Sequence, residues 1–215
     1  EGDGGGEENE EKDESKKEEE ERRICRELTS KLTILFMASE GYPIPFSLLR
    51  DKYSTVKLHL FQNALGGCAV LIRGSNFLLK SSLMHWLRAG VRDVRDLILI
   101  LLNRDGIVRR EKLLRVLDKK ENGMRRDRGS DRSACLDARE DDVELILNQV
   151  AGKGINCWTM KFAVDDMSYE RDYPTETSMY KKFWTKRALE LTQYLKVYDE
   201  EEIKDGEKGV EEMEL

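Results

Sequence analysis

The sequence predicts a mainly α fold with small β-hairpins, built as two successive copies of one helix-and-hairpin unit plus a C-terminal helix. Three observations carry that expectation. Apolar residues recur at helical spacing in short blocks bounded by glycines. An apolar–turn–apolar stretch, CAVLIRGSNFLLKSS, follows the third block. The order then repeats: Gly41 stands seven residues before Leu48-Leu49-Arg50, and Gly106 stands seven before Leu113-Leu114-Arg115, an offset of 65.

In the first copy, Ile24, Leu28, Leu32, Leu35 and Phe36 mark one face of a helix that Gly41 stops. YPIPF is too short and proline-rich for more than an edge strand or an extended link. Residues 47–53 suit a short second helix. Ser54 or Thr55 is the expected cap of a third, with Leu58, Phe61 and Leu65 inward and Gly66-Gly67 at its end. The hairpin CAVLIRG–SN–FLLKSS closes the copy.

In the second copy, Val91, Val94, Ile98, Leu101 and Leu102 mark the first helix and Gly106 stops it. A polar stretch at 119–136 reads as an insertion. Asp137 and Glu140 form a D-x-x-E capping box for a helix with Val143, Ile146, Leu147 and Val150 inward. Gly152 and Gly154 end it, and NCWTMKFAV supplies the closing strand. Three short helices with a terminal hairpin, twice over, is the tandem winged-helix arrangement. Each copy is small, so the two are expected to pack together. Pro174-Thr175 opens a last helix whose stripe is Tyr180, Trp184, Ala188, Leu191 and Leu195. That stripe either docks on the second module or serves as a partner-binding helix. The expected organisation is a disordered acidic tail or linker at 1–21, module 1 at 22–88, module 2 at 89–173, the C-terminal helix at 174–198 and a disordered acidic tail at 199–215.

Charge is unevenly placed. The chain carries a net charge of -6. Residues 1–21 carry twelve acids and three lysines, and 199–215 carry nine acids and two lysines, leaving a body of +10. Like-charge blocks stay solvated because they bury little apolar surface. The tails therefore serve solubility, or compete for the basic body or a basic partner. Residues 88–132 hold fourteen Arg or Lys against eight acids. Arg92, Arg95, Arg104, Arg109, Arg110, Lys112 and Arg115 on the helices, with Arg125, Arg126, Arg128 and Arg132 in the insertion, are the candidate basic face. It is a solvated face, a phosphate-contact surface or a docking surface. MRRDRGSDR is a weak nuclear-import candidate.

The acidic N-terminus has no signal-peptide core. The longest apolar run, Leu97–Leu102, is far below the ~20 residues that span a bilayer. Cys25, Cys68, Cys135 and Cys157 form no C-x-x-C pair, so reduced, intracellular cysteines are expected rather than a zinc site. No phosphate-loop or H-E-x-x-H motif occurs. The expectation is a non-enzyme without metal or cofactor.

Four collinear segments carry a resemblance: AVLIRGSNFLLKSSL, RAGVRDVRDLILILLNRDGIVRREKLLRVL, REDDVELILNQVAGKGINCWTMKF and PTETSMYKKFWTKRALELT. Together, covering about 24–195, they resemble the C-terminal extension of the fifth specific subunit of RNA polymerase III, the Sin family. The family's N-terminal β-barrel half has no counterpart here. The resemblance implies a nuclear, non-catalytic polymerase segment that binds other polymerase subunits, and promoter factors too, in transcription of transfer RNA, 5S ribosomal RNA and other short RNAs. The competing readings are a freestanding DNA-binding transcription factor and a winged-helix adaptor in an unrelated assembly.

In winged helices that read DNA, the third helix enters the major groove. Lys57, His59, Gln62 and Asn63 are what the first copy offers. The second begins with Arg139, Glu140, Asp141 and Asp142, which suits a helix dipole but repels phosphate. Arg73 and Lys80 on the first hairpin are the candidate contacts to a DNA backbone. Base reading is not expected.

Overall fold

A computed structural model describes residues 7–123, 136, 138–161 and 166–200, with side chains over 15–117 in the first stretch. The order helix–strand–helix–helix–strand–strand occurs twice. First come α1 (Glu7–Ala38), β1 (Ile44–Pro45), α2 (Phe46–Lys52), α3 (Leu58–Cys68), β2 (Ala69–Ile72) and β3 (Asn76–Leu79). A 3-10 turn at Ser81–Leu83 leads to α4 (Ala89–Asp105), β4 (Ile107–Val108), α5 (Arg110–Gly123), α6 (Glu140–Val150), β5 (Ala151–Lys153) and β6 (Trp158–Met160). Two small antiparallel sheets result, ordered β1-β3-β2 and β4-β6-β5, so each places its last strand in the middle. Then follow α7 (Ser168–Asp172), α8 (Pro174–Glu190) and α9 (192–200).

The first hairpin is buried on both faces. Alternate side chains along a strand point to opposite sides. Leu71, Phe77 and Leu79 enter a core with Leu28, Leu32, Phe36 and Phe61. Val70, Ile72 and Leu78 enter the other core, with Val94, Ile98, Leu101 and Trp158. The hairpin is thus a partition between two cores. For the same reason every residue of Leu97–Leu102 is buried, as an all-round apolar helix must be. The second hairpin differs: its tip is open, and Ile155 is 99% exposed.

Several local expectations are corrected. The first helix starts at Glu7 rather than Arg22, so residues 7–21 belong to α1 and not to a disordered tail. Acid–base pairs one turn apart support it, Glu18–Arg22 at 3.0 Å and Glu20–Arg23 at 2.7 Å. Lys57, not Ser54 or Thr55, precedes α3 as its cap residue. Gly66 and Gly67 lie inside the last turn of α3 rather than ending it. A Cβ on Gly67 would stand 3.4 Å from Thr29 Cγ2, ordinary van der Waals contact, so the packing of α1 on α3 leaves room for a side chain there. The α6 cap is Arg139, whose N–H donates to Asp142 Oδ2 at 2.9 Å. Asp137 lies outside the described residues. Gly152 sits within β5.

Gly106 does end α4, with φ at +76° and its N–H on the Leu102 carbonyl. The last helix breaks at Leu191, a fully buried residue, and resumes as α9. No helix among the described residues is long and apolar enough to cross a membrane.

Candidate functional site

The candidate basic face is dispersed by packing. Arg95 is fully buried on α4 and donates to the Leu79 carbonyl at 3.1 Å and to Ser81 Oγ at 2.7 Å. Burial pushes its guanidinium down to about 10. Lys112 is 1% exposed. Neither belongs to a surface, because the helices that carry them are covered on that side. Arg104 forks onto Asp199 at 2.7 and 3.1 Å and also holds Asp105. Arg110 pairs with Glu140 and lies 3.8 Å from Glu144. Arg88 reaches Asp142 at 2.8 Å. The acidic start of α6 and the neighbouring arginines are therefore each other's partners. Arg92 reaches the Ser82 carbonyl at 3.4 Å. Arg109 is half-buried and Arg115 exposed. Arg125, Arg126, Arg128 and Arg132 lie outside the described residues.

Both strands of the first hairpin are buried, although β2 is the edge strand of its sheet. Lys80 Nζ donates to the carbonyls of Gly66 at 2.5 Å and Gly67 at 3.2 Å, closing the C-terminal turn of α3. That corrects its assignment as a backbone contact: a cation there complements the helix end. The turn itself is covered by α7. Ser75, at φ +56°, accepts the Tyr169 N–H at 3.0 Å and donates to the Asp166 carbonyl at 2.9 Å. Only Arg73 at this tip is exposed.

The third helix of the first copy is flanked by acid. Glu21 on α1 lies 3.6 Å from Lys57 Nζ and 3.8 Å from His59 Nε2. Gln62 is buried, leaving Asn63 exposed. A phosphate approaching this helix start meets the carboxylates of α1.

The closing helix packs on both copies rather than on the second alone. Tyr180 enters the first core, while Trp184, Leu191 and Leu195 pack with the second. Trp184 Nε1 donates to the Leu71 carbonyl at 2.7 Å. Sequence reasoning did not find the ionic anchor of this helix. Arg187 reaches Asp96 Oδ2 and Asp93 Oδ1, both at 2.8 Å, and pairs with Glu190. Asp96 Oδ1 accepts from Ser81 Oγ at 2.6 Å. No local spacing links residues so far apart; only the D-x-x-D step on α4 marks two carboxylates on one helical face.

Between β2, α4 and α8 lies a groove of about 540 Å³. Leu71, Ile100 and Trp184 contribute apolar wall, and Arg73, Arg104 and Lys181 contribute cations. Lys181 is paired with Glu170 at 2.8 Å. Among the described residues no cluster of three His, Cys, Asp or Glu could hold a metal ion. No known protein family matches the chain, and no curated protein matches it either.

Proposed function

We propose that this chain is a tandem winged-helix scaffold within a large assembly, and that the assembly is RNA polymerase III in the nucleus. The observation that carries the scaffold reading is the first hairpin, buried on both faces and closed at its tip by Ser75, Asp166 and Tyr169. A hairpin spent as a partition between two cores is not a DNA-reaching wing. The acids beside α3 and at the start of α6 point the same way. The polymerase assignment rests on the four collinear segments named above. In this reading the chain performs no chemistry: it holds subunits together, and promoter factors dock on the same scaffold.

The test is a tagged purification of the full chain from nuclear extract with quantitative mass spectrometry. Enrichment of RNA polymerase III subunits supports the proposal; a different stable assembly in their place overturns the polymerase assignment. A parallel titration with duplex DNA tests the scaffold reading. Affinity no tighter than the roughly 10⁻⁴ to 10⁻⁶ M of non-specific contact is expected at physiological salt. Single-base discrimination overturns it in favour of a DNA-binding factor.

A further inference from the structure

We propose that the groove between β2, α4 and α8 is the docking site of the chain's own acidic segment, residues 201–215.

The first argument is position. The described chain reaches Glu200, one residue beyond Asp199. Asp199 already holds Arg104 through a two-bond fork at 2.7 and 3.1 Å, and Arg104 is part of the groove wall. Residue 201 therefore follows by two positions a side chain that holds the groove wall. Fifteen residues extend to ~50 Å at most, so reach is not limiting.

The second argument is chemistry. Residues 201–215, EEIKDGEKGVEEMEL, hold seven acids against two lysines, with Ile203, Val210, Met213 and Leu215 interspersed. The groove presents the matching pair of features. Its floor is apolar, with Leu71, Ile100, Trp184 and Ala188. Lys181 is already held by Glu170 and Arg104 by Asp105 and Asp199, so the rim cation left for the segment is Arg73, whose exposed guanidinium has no carboxylate partner among the described residues and lies over the Gly106 turn, where a Cβ would stand 3.1 Å from its Nη1. Arg104 shows that this rim accepts carboxylates from the C-terminal side of the chain.

The third argument is concentration. A segment tethered at the rim is present at a local concentration on the order of millimolar, so weak contacts suffice to fill the groove. Any acidic, apolar segment of a partner that fits the groove must then displace it. The inference is independent of which assembly the chain joins.

The experiment uses the full chain, labelled with ¹⁵N, beside a full-length variant in which Ile203, Val210, Met213 and Leu215 are all changed to Ser. Trp184→Phe assigns the Trp184 indole cross-peak. We expect that peak, with the amides of Thr185 and Ala188, to move between the two proteins, and Arg73→Glu to move them in the same direction. Added salt should shift the wild-type peaks toward the variant positions. A free 201–215 peptide should restore the wild-type positions when titrated into the four-serine variant. Superimposable groove peaks in wild type and variant overturn the proposal. A shift that grows with protein concentration also overturns it, because the occupant is then the segment of a second copy. Arg73 lies outside the two cores, and far-UV circular dichroism verifies that each variant is folded.

Discussion

Arg187 Nε stands 2.8 Å from Asp96 Oδ2, joining α8 to α4 at a point where Arg187 is 18% and Asp96 8% exposed in their side chains. Removing one member of a buried pair leaves the other uncompensated, at roughly 3–5 kcal/mol. Arg187→Met should therefore destabilise the chain by about 3 kcal/mol in urea unfolding. The double variant with Asp96→Asn should lose less than the sum of the two single losses. Additive losses would show that the two side chains do not communicate.

The same carboxylate sets a pH dependence. Burial raises the Asp96 carboxyl above its ordinary range, against the pull of Ser81, Arg187 and Arg95. An acid with a higher folded than unfolded pKa binds its proton more tightly when folded. Its contribution is then largest at low pH and falls as pH rises from about 3.9 through the folded value. Stability of wild type relative to Asp96→Asn should decline between about pH 4 and the folded pKa, then level off. A difference that rises instead would mean that the arginines outweigh burial.

Ser75 holds the first hairpin turn against α7. Ser75→Ala leaves the buried Tyr169 N–H without its 3.0 Å acceptor, a loss of roughly 1–3 kcal/mol. Faster hydrogen exchange at the Tyr169 amide is the local readout. Ser75→Gly should lose about 1 kcal/mol less, because glycine adopts the left-handed φ of +56° without strain. Equal losses would place the whole effect in the hydroxyl.

Cys68 should resist alkylation. It is fully buried, its Sγ faces the Ala64 carbonyl at 3.5 Å, and burial pushes its thiol up to about 11. At about pH 8 its thiolate fraction is on the order of 10⁻³. Timed iodoacetamide labelling with peptide mapping should modify the half-buried Cys25 and Cys157 before Cys68. Labelling of Cys68 at the same rate would reveal local opening of α3.

Gly41 tests the seam between the copies. Its φ is +88°, and an added Cβ would stand 2.7 Å from Gln149 Oε1 on α6. Gly41→Ala should cost about 1–2 kcal/mol from the backbone alone. Gln149→Ala clears the space but not the dihedral, so it should rescue only part of the loss. Full rescue would assign the cost to crowding.

The sequence by itself determined the repeat, most of its helices and hairpins, and the helix end that Gly106 sets by local chemistry. Helical spacing at Leu28, Leu32 and Phe36 and the glycine at 106 act within one or two turns, so no distant residue is needed to read them. The apolar runs AVLI and LILILL are buried on every side, and which elements cover them is not written in the runs themselves. Tertiary structure decided the rest. Arg95 and Lys112 look like surface cations until neighbouring elements enclose them. Lys80 looks like a wing contact until it meets the end of α3. Arg187 and Asp96 are 91 residues apart in the chain. A charge declares its type in the sequence, but its role depends on which faces meet, and that is fixed only when the apolar surfaces of both copies are buried together.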